Sequence, residues 1–218
     1  MTTDSQTRPD DVLPVAAASD DFDDVGQFDR WSQRYERSKW QFLFFDRMHR
    51  VALDTAARFG EPRAILDVGC GTGRLLRAAH ARWPNARLIG VDPSTGMIQA
   101  GRRLNRAELH LAGAESLPVP DASIDVAFST IAFHHWTDRD AGLSEVARTL
   151  RPGGHFVLID NIGPDWVARY LKDRPYLTRS ERVSVWARNG LRVLEQRLLI
   201  NPFLLPIPLA TLSVKDAA

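Results

Sequence analysis

The chain has 218 residues, with 28 Lys and Arg against 27 Asp and Glu, and a single cysteine. This length fits one domain, and 44% hydrophobic with 25% charged residues is typical of a globular protein rather than a disordered one. A net charge of +1 provides no basic field, which argues against nucleic acid or an anionic membrane as the partner. One cysteine excludes an internal disulfide and fits a reducing compartment, so we expect a cytoplasmic protein.

The first 62 residues divide into a leader and a helical cap. Residues 1–27 lack the basic start and apolar run of a signal peptide and are rich in Asp, which predicts a disordered acidic leader. Residues 28–62 are interpreted as an N-terminal helical cap that ends at Gly60 and Pro62. Its predicted apolar stripe, at three- and four-residue steps, is Trp40, Phe44, Met48, Val51, Thr55 and Phe59.

Residues 63–218 are predicted to form the core of the same domain. Short, continuous apolar runs alternate there with helical stretches, and such runs are typical of strands buried on both faces of a parallel sheet. The predicted strands are Ala64–Val68, Arg87–Val91, Leu109–Ala112, Ile124–Ser129 and His155–Asp160, and the predicted crossover helices are Arg74–Arg82, Ser94–Arg103 and Asp138–Leu150. Repeated strand–helix units of this kind predict an α/β fold with an open, doubly wound sheet.

The end of the chain departs from this alternation. Thr178 and Glu181 form a capping-box signature, which predicts a helix over Arg179–Asn189. Two strands follow, Leu191–Ile200 and Leu209–Lys215, and the interval between them is too short for a crossover helix. The sheet is therefore predicted to be seven-stranded and mostly parallel, with an antiparallel strand at the C-terminus. The most apolar stretch, Leu198–Val214, is too short and too interrupted by proline to span a bilayer as one helix.

Three glycines follow the first predicted strand directly, at Gly69, Gly71 and Gly73. Their G-x-G-x-G spacing differs from the G-x-G-x-x-G of dinucleotide-binding folds. Asp67 lies two residues before the first glycine, where its carboxylate would repel a pyrophosphate but could hold an ammonium group. The helix behind the loop presents free N–H groups, which suit an anion. The segment therefore predicts a site for a zwitterion with a nucleoside attached.

Further polar residues follow the next strands. Asp92 ends the second strand, where an acid can accept hydrogen bonds from both ribose hydroxyls, although it could also cap the helix that follows Pro93. The third strand leads to Ala114 and Glu115, where the chain is expected to pass the edge of a purine base. Asp125, which begins the fourth strand, is interpreted as structural.

These segments together resemble a class I S-adenosylmethionine-dependent methyltransferase, and most closely the type 11 group that includes quinone-biosynthesis and small-molecule enzymes. The segments that carry the resemblance are Leu66–Gly73, Gly90–Met97, Glu115–Pro118, Pro120–Asp125 and Leu150–Gly154. They occur in the expected order between about residues 65 and 160, which is more specific than a lone glycine loop. The resemblance implies a Rossmann-like methyltransferase fold and S-adenosylmethionine as the cofactor.

The resemblance also implies a role for each matching residue. Asp67 and the Gly69–Gly73 loop would hold the methionine part, Asp92 the ribose, and the backbone at Ala114–Glu115 the adenine edge. Many relatives carry Asp where this chain has Ala114, so Glu115 or a backbone carbonyl is expected to replace it. Cys70 is interpreted as a small buried residue of the loop rather than a nucleophile. The residues expected at the cofactor are Asp67, Gly69, Cys70, Gly71, Gly73, Asp92, Pro93, Met97, Ala114, Glu115 and Ser129.

His134 and His135 follow the fourth strand, at the edge of the sheet where ligands bind in open α/β folds. One of them could remove a proton from a substrate hydroxyl, and because adjacent side chains point apart we select His134 as the candidate general base. The alternative is a pair of loop histidines satisfied by local hydrogen bonds. No metal is expected, because no other His, Cys or Glu stands at ligand spacing.

The sequence first excludes some classes of substrate. Enzymes that methylate base nitrogens or glutamine resemble one another in an Asn/Asp-Pro-Pro-aromatic loop, whereas this chain reads Ile131-Ala132-Phe133-His134. The apolar segment Asn201–Pro208 is expected to line the substrate entrance. A lid is expected from Phe22, Phe28, Trp31, Tyr35 and Trp40. We therefore expect methylation of an oxygen or carbon of a small lipophilic or aromatic molecule.

Alternatives remain for this segment and for the function. The apolar turn could instead pack on the N-terminal helix or on a second subunit, which would make a homodimer. A nicotinamide-dependent oxidoreductase is disfavoured by the glycine spacing and by Asp67. A non-catalytic nucleoside-binding scaffold would have no need for this set of acids and glycines.

Overall fold

The computed structural model describes residues 39–103, 106–162, 176–199 and 207–216. Several predicted features lie outside the described residues. They are the leader, the first part of the cap, the aromatic residues Phe22, Phe28, Trp31 and Tyr35, the side chain of Trp40, and residues 201–206 of the apolar turn. The described strands are β1 (Ala64–Val68), β2 (Arg87–Asp92), β3 (Glu108–Leu111), β4 (Ile124–Thr130), β5 (Leu150–Ile162), β6 (Leu191–Leu198) and β7 (Ile207–Lys215). The described helices are α1 (Lys39–Ala57), α2 (Arg74–Arg82), α3 (Thr95–Arg102), α4 (Arg139–Thr149) and α5 (Arg179–Arg188), with a 3-10 turn at Phe133–His135.

The strands form one seven-stranded sheet in the order β3-β2-β1-β4-β5-β7-β6. Strands β1 to β5 are parallel to their neighbours, and β7 lies antiparallel between β5 and β6. The predicted doubly wound sheet with its antiparallel C-terminal strand is confirmed. Strand β5 begins at Leu150, earlier than the predicted His155, because Leu150 pairs with Ile124 ahead of a register shift.

The helices cover both faces of the sheet. Helices α4 and α5 pack on one face through Leu143, Val146 and Trp186, together with strand residues such as Leu66. Helices α1, α2 and α3 pack on the other, where the neighbouring strand residue Ile65 is buried. Successive strand residues thus enter opposite cores, which explains the continuous apolar runs of the sequence.

The buried face of α1 differs from the predicted stripe. Residues Met48, His49, Ala52, Leu53 and Ala56 are buried, whereas Val51 and Thr55 are only half-buried. The small side chains at 52 and 56 allow the helix to approach the sheet closely, which rotates the contact face by about one position. The helix ends at Ala57, so Phe59 lies outside it, is 45% exposed and stacks on His155 at 3.7 Å. The stripe prediction was wrong at these positions.

Local polar contacts fix several element ends. The Thr178 side chain accepts from the backbone of Glu181, whose carboxylate accepts in return from Thr178, so the predicted capping box is confirmed. Asp125 accepts from the backbone N–H groups of Arg63 and Ala64 and pairs with Arg151, which supports its structural interpretation. In the described part of the chain, no helix is long and apolar enough to cross a membrane.

Candidate cofactor and acceptor site

The carboxyl ends of β1, β2, β4 and β5 meet at one edge of the sheet. Asp67 of β1 pairs with Gly90 of β2 on one side and with Phe128 of β4 on the other. Strand β4 continues this alignment, since Thr130 pairs with Ile159 of β5. Parallel strands bring the residues that follow them to the same edge, and this edge is where ligands bind in such folds.

Asp67 is a buried carboxyl group with an unmet hydrogen-bonding capacity. It is 1% exposed, and its Oδ1 has no hydrogen-bond partner among the described residues. Burial, with a further contribution from the negative charge of Asp92, raises the pKa of this carboxyl from 3.8 to about 8. A buried polar atom without a partner is costly, so a cationic ligand group that donates to Oδ1 would remove a penalty that the protein otherwise carries.

The glycine loop begins two positions after Asp67. Gly69, Gly71 and Gly73 all have positive φ, at 77°, 53° and 75°, which favours glycine at each position. At Gly69 a side chain is also excluded by contact, because a Cβ would come within 2.4 Å of Ala132 Cβ. At Gly71, by contrast, the nearest atom to such a Cβ is the sulfur of Met97 at 4.0 Å, which is an ordinary van der Waals contact and not a clash.

Asp92 ties the loop to the second strand. Its Oδ2 accepts from the N–H of Gly71 at 2.8 Å, and its Oδ1 accepts from the N–H of Ser94 at 2.9 Å. A carboxylate has about four acceptor positions, so these two bonds are compatible with ribose hydroxyls as further donors. The N-cap of α3 is Ser94, whose side chain accepts from Met97, and not Asp92 as one interpretation of the sequence allowed.

Other expected cofactor residues lie around this centre. Cys70 is buried in the core, and burial together with the charges of Asp67 and Asp92 raises the pKa of its thiol well above the ordinary value. This agrees with its interpretation as a filler rather than a nucleophile. Met97 is buried and Pro93 is exposed. Ser129 is fully buried at the end of β4, and its hydroxyl has no partner among the described residues.

The structure corrects the expectation at position 114. The Ala114 side chain is 6% exposed and belongs to the hydrophobic core, beside Trp136 and Gly142. If an Asp stood at position 114, its carboxylate would point into that core. The side chain at this position therefore does not decide whether the adenine amine has an acceptor. Glu115 is partly engaged, because its Oε1 accepts from the N–H of Asp138 at the start of α4. Glu115 and the backbone near position 114 both stay the predicted replacements.

His134 forms a dyad with Asp160, which the sequence did not single out. The Nδ1 of His134 lies 2.8 Å from Asp160 Oδ1, and the backbone N–H of His134 donates to Asp160 Oδ2 at 2.9 Å. Asp160 is 1% exposed and lies near the end of β5. A signal was present, since Asp160 ends a buried strand just as Asp92 does. The ring of His134 thus has a partner 26 residues further along the chain rather than a neighbour in the loop.

Tyr176, which precedes α5, and Arg182, which lies within it, are both close to the dyad. The Tyr176 ring lies 5.1 Å from that of His134, and burial raises the pKa of its phenol. The buried guanidinium of Arg182 donates to the backbone oxygens of Asp160 and Asn161, and burial lowers its pKa to about 10. It also donates to Leu209 and Thr211 of β7, so it fixes the end of β5 to the start of β7. No sequence pattern pointed to Arg182.

A separate groove lies between α1 and α2, with a volume of about 650 Å³. Its lining is rich in arginine and includes the buried His49, whose pKa is lowered to about 4 by burial and by Arg74 and Arg77. None of the glycines of the loop lines this groove. Within the described ranges, no group of three or more His, Cys, Asp or Glu residues could hold a metal ion.

Comparison with known proteins finds a family model and relatives that match the part of the chain containing this site. Residues 66–158 match the model of a methyltransferase domain, the type 11 group. The chain is 41% identical over 108 residues to malonyl-(acyl-carrier protein) O-methyltransferase of Xylella fastidiosa, covering 48% of this chain and 36% of that protein. It is 34% identical over 154 residues to demethylmenaquinone methyltransferase of Symbiobacterium thermophilum, covering 66% and 58%. The chain thus spans 36% and 58% of the length of these two relatives.

Solved structures agree with the fold. A putative methyltransferase from Haloferax volcanii, in complex with a methyltransferase activator, superposes with a TM-score of 0.72 at 24% identity, covering 89% of this chain and 98% of that chain. The cyclase SpnF superposes with a TM-score of 0.67 at 16% identity, covering 78% and 82%, so the fold alone does not define a reaction. Residues 66–158, which include the glycine loop and strands around it, are therefore similar to the methyltransferase domain of the type 11 group.

Proposed function

We propose that the protein transfers a methyl group from S-adenosylmethionine to an oxygen or carbon of a small lipophilic or aromatic molecule. The observation that carries the proposal is the buried Asp67 Oδ1, which has no partner among the described residues and belongs to the residue two positions before the glycine loop. The α-ammonium group of the cofactor is a cationic donor of the required kind. A pyrophosphate at the same place would face a buried acid, which disfavours a nicotinamide cofactor.

The remaining groups at this edge fit the other parts of the cofactor. Among the helices whose N-termini are described, α3, α4 and α5 have side-chain caps, but α2 begins at Gly73 without one. Its first N–H groups are therefore suited to the cofactor's carboxylate. Asp92 would accept from the ribose hydroxyls, and Met97, whose sulfur lies beside Gly71, would pack near the adenine.

Methyl transfer requires alignment more than covalent chemistry from the protein. The bound cofactor supplies a methyl group already activated by a sulfonium, and the acceptor must be held in line with it while water is excluded. Because Gly69 touches Ala132, the segment that carries His134 lies beside the cofactor loop. This proximity supports His134 as the group that receives a proton from an acceptor bound there.

The strands around Asn161 support the proposal that the acceptor is lipophilic. The two strands that flank residues 201–206 both reach this edge, because Pro208 of β7 pairs with Asn161 and Leu199 donates to the Pro208 oxygen. The flanked segment includes Phe203 and Leu204. Relatives act, by name, on malonyl-(acyl-carrier protein) and on demethylmenaquinone. Changing Phe203 and Leu204 to Ser should weaken acceptor binding; unchanged affinity would remove this segment from the acceptor site.

Calorimetric titration of the full chain with S-adenosylhomocysteine and with NAD tests the proposal. We expect binding of the first and none of the second. Absence of S-adenosylhomocysteine binding, or preferential binding of NAD, would contradict a methyltransferase function. Transfer of labelled methyl from S-adenosylmethionine into an extract of small metabolites then tests the activity itself.

A further inference from the structure

The contacts of Asp160 define how His134 is held. Its carboxylate receives three N–H groups: the ring Nδ1 of His134 at 2.8 Å, the backbone of His134 at 2.9 Å and the backbone of Asn161 at 2.7 Å. An ionised carboxylate only accepts hydrogen bonds. The network therefore assigns the ring proton to Nδ1 and leaves Nε2 as the proton acceptor.

Several elements enclose this dyad. The His135 ring lies against the His134 ring, with the centroids 3.9 Å apart and the rings tilted by 42°, and the Tyr176 ring lies at 5.1 Å. From α4, Arg139 donates to the backbone oxygen of His134 at 3.3 Å. From α5, Arg182 donates to the backbone oxygen of Asp160 at 3.1 Å. The His134 side chain retains 11% exposure, so the ring is held firmly but is not sealed from a ligand.

The charges at this edge bear on the acceptor. Asp67, Asp92 and Asp160 are three buried acids at the ends of neighbouring strands. Because Asp67 is mostly protonated at neutral pH and Arg182 lies beside Asp160, charge alone does not select the acceptor, but a base held in this way serves an acceptor that still carries a proton. A carboxylate acceptor would gain nothing from a base, since it is already ionised at neutral pH.

Resting on the proposed function, we propose that Asp160 is a positioning residue that keeps His134 Nε2 as the proton acceptor, and that the methyl acceptor is a neutral molecule with a phenolic, enolic or alcoholic hydroxyl. The hydroxyl gives its proton to Nε2, and the methyl carbon bonds to the oxygen. As that bond forms, the carbon–sulfur bond breaks and its electron pair stays on sulfur. If the bond forms at a conjugated ring carbon instead, the proton of that carbon leaves to water and His134 returns its proton to the oxygen.

The tautomer of His134 provides a test without turnover. In nitrogen-15 spectra of the full chain, the signal lost in His134→Asn identifies His134, which we expect to carry its proton on Nδ1. The Asp160→Asn variant should lose that preference, and Asp216→Asn, a surface carboxylate paired with Arg192, should not. A proton on Nε2 in the unchanged protein would overturn the proposal, whether or not an acceptor has been found.

The fate of the transferred methyl group tests the acceptor class. Label that stays in the organic phase through washes with alkali and with dilute acid marks an ether or a carbon–methyl product, as we expect. Release of labelled methanol by alkali marks a methyl ester, and extraction into acid marks an amine; either result would overturn the proposal. Asp160→Asn should lower transfer by about 10² or more, and with a phenolic or enolic acceptor, which ionises by itself, transfer should recover toward higher pH.

Binding of S-adenosylhomocysteine separates the two proposals. The unchanged protein and the Asp160→Asn variant should bind it with similar affinity, because Asp160 is not among the residues assigned to the cofactor. Loss of binding in the unchanged protein would be a failure of the proposed function. Normal binding with equal transfer by both proteins would be a failure of the dyad alone.

Discussion

Two buried acids at the same edge of the sheet differ in how they are satisfied. Asp67 ends β1 and Asp160 ends β5, and each is 1% exposed. One oxygen of Asp67 has no partner among the described residues, and burial raises the pKa of its carboxyl to about 8. Asp160 receives three N–H donors from His134 and Asn161.

This difference separates a binding role from a positioning role. A carboxyl group that the protein leaves unsatisfied is stabilised only when a ligand supplies the donor. A carboxyl group that the protein satisfies completely instead fixes the side chain that donates to it. The cofactor half of the site is therefore prepared for a ligand, and the acceptor half is prepared to hold an imidazole in one orientation.

The largest expected effect is on cofactor affinity in Asp67→Asn. Losing one partner of a buried charge pair costs about 2–5 kcal/mol, so S-adenosylhomocysteine should bind at least ~30-fold more weakly by calorimetry. Stability in urea should be unchanged or higher, because an unsatisfied acid is removed. The control is Asp121→Asn, an acid whose side chain is 77% exposed, which should bind normally. Equal affinities of both variants would break the comparison.

Next in size is Gly69→Ala, at the contact between the two halves. A left-handed φ costs alanine about 1–2 kcal/mol, and the clash with Ala132 adds about 1–3 kcal/mol. Gly153→Ala is a matched control, since Gly153 also has φ 77° but a Cβ there meets nothing within 4 Å. In urea unfolding, Gly69→Ala should lose more stability than Gly153→Ala, and adding Ala132→Gly should recover the difference. Equal losses would show that the contact is unimportant.

Asp160→Asn should behave in the opposite way to Asp67→Asn. The amide NH₂ would replace an acceptor that now faces the His134 N–H groups, and an unsatisfied buried group costs about 1–3 kcal/mol of unfolding free energy. Cofactor affinity should change little. Unfolding free energy and S-adenosylhomocysteine affinity are measured on the same samples. A variant of unchanged stability that binds more weakly would assign Asp160 to the cofactor half.

The smallest effect is a proton released on binding. Since the pKa of Asp67 is raised from 3.8 to about 8, the carboxyl is mostly protonated at pH 7, and a bound ammonium favours its ionised form. S-adenosylhomocysteine binding should then release close to one proton, seen as a dependence of the calorimetric heat on the buffer. Asp67→Asn should release none.

The same raised pKa sets the direction of a stability effect. Between pH 4 and pH 8 the folded protein binds this proton more tightly than the unfolded chain, so the stability due to Asp67 falls as the pH rises. The advantage of Asp67→Asn over the unchanged protein should therefore grow across this range. An advantage that shrinks with rising pH would contradict a raised pKa.

The cofactor half was predictable because its residues lie close together in sequence. Asp67 and the three glycines occupy one strand–turn–helix segment, and Asp92 follows the next strand. Parallel pairing of β1 with β2 then brings them together without further information. The mostly parallel sheet was also predictable, since continuous apolar runs alternate there with crossover helices.

The acceptor half was not predictable because it joins distant segments. His134 and Asp160 are brought together by the pairing of β4 with β5, and Arg182 reaches them from a helix 22 residues further on. Its four acceptors are mostly backbone oxygens, which no side-chain pattern reveals. The direction of the Ala114 side chain was likewise set by packing against Trp136 rather than by a motif.

A crystal structure of the protein with S-adenosylhomocysteine bound tests the central claim most directly. We expect the ligand's ammonium nitrogen within about 3 Å of Asp67 Oδ1 and its ribose hydroxyls on Asp92. A ligand bound elsewhere, for example in the arginine-lined groove between α1 and α2, or with its ammonium group away from Asp67, would contradict the account.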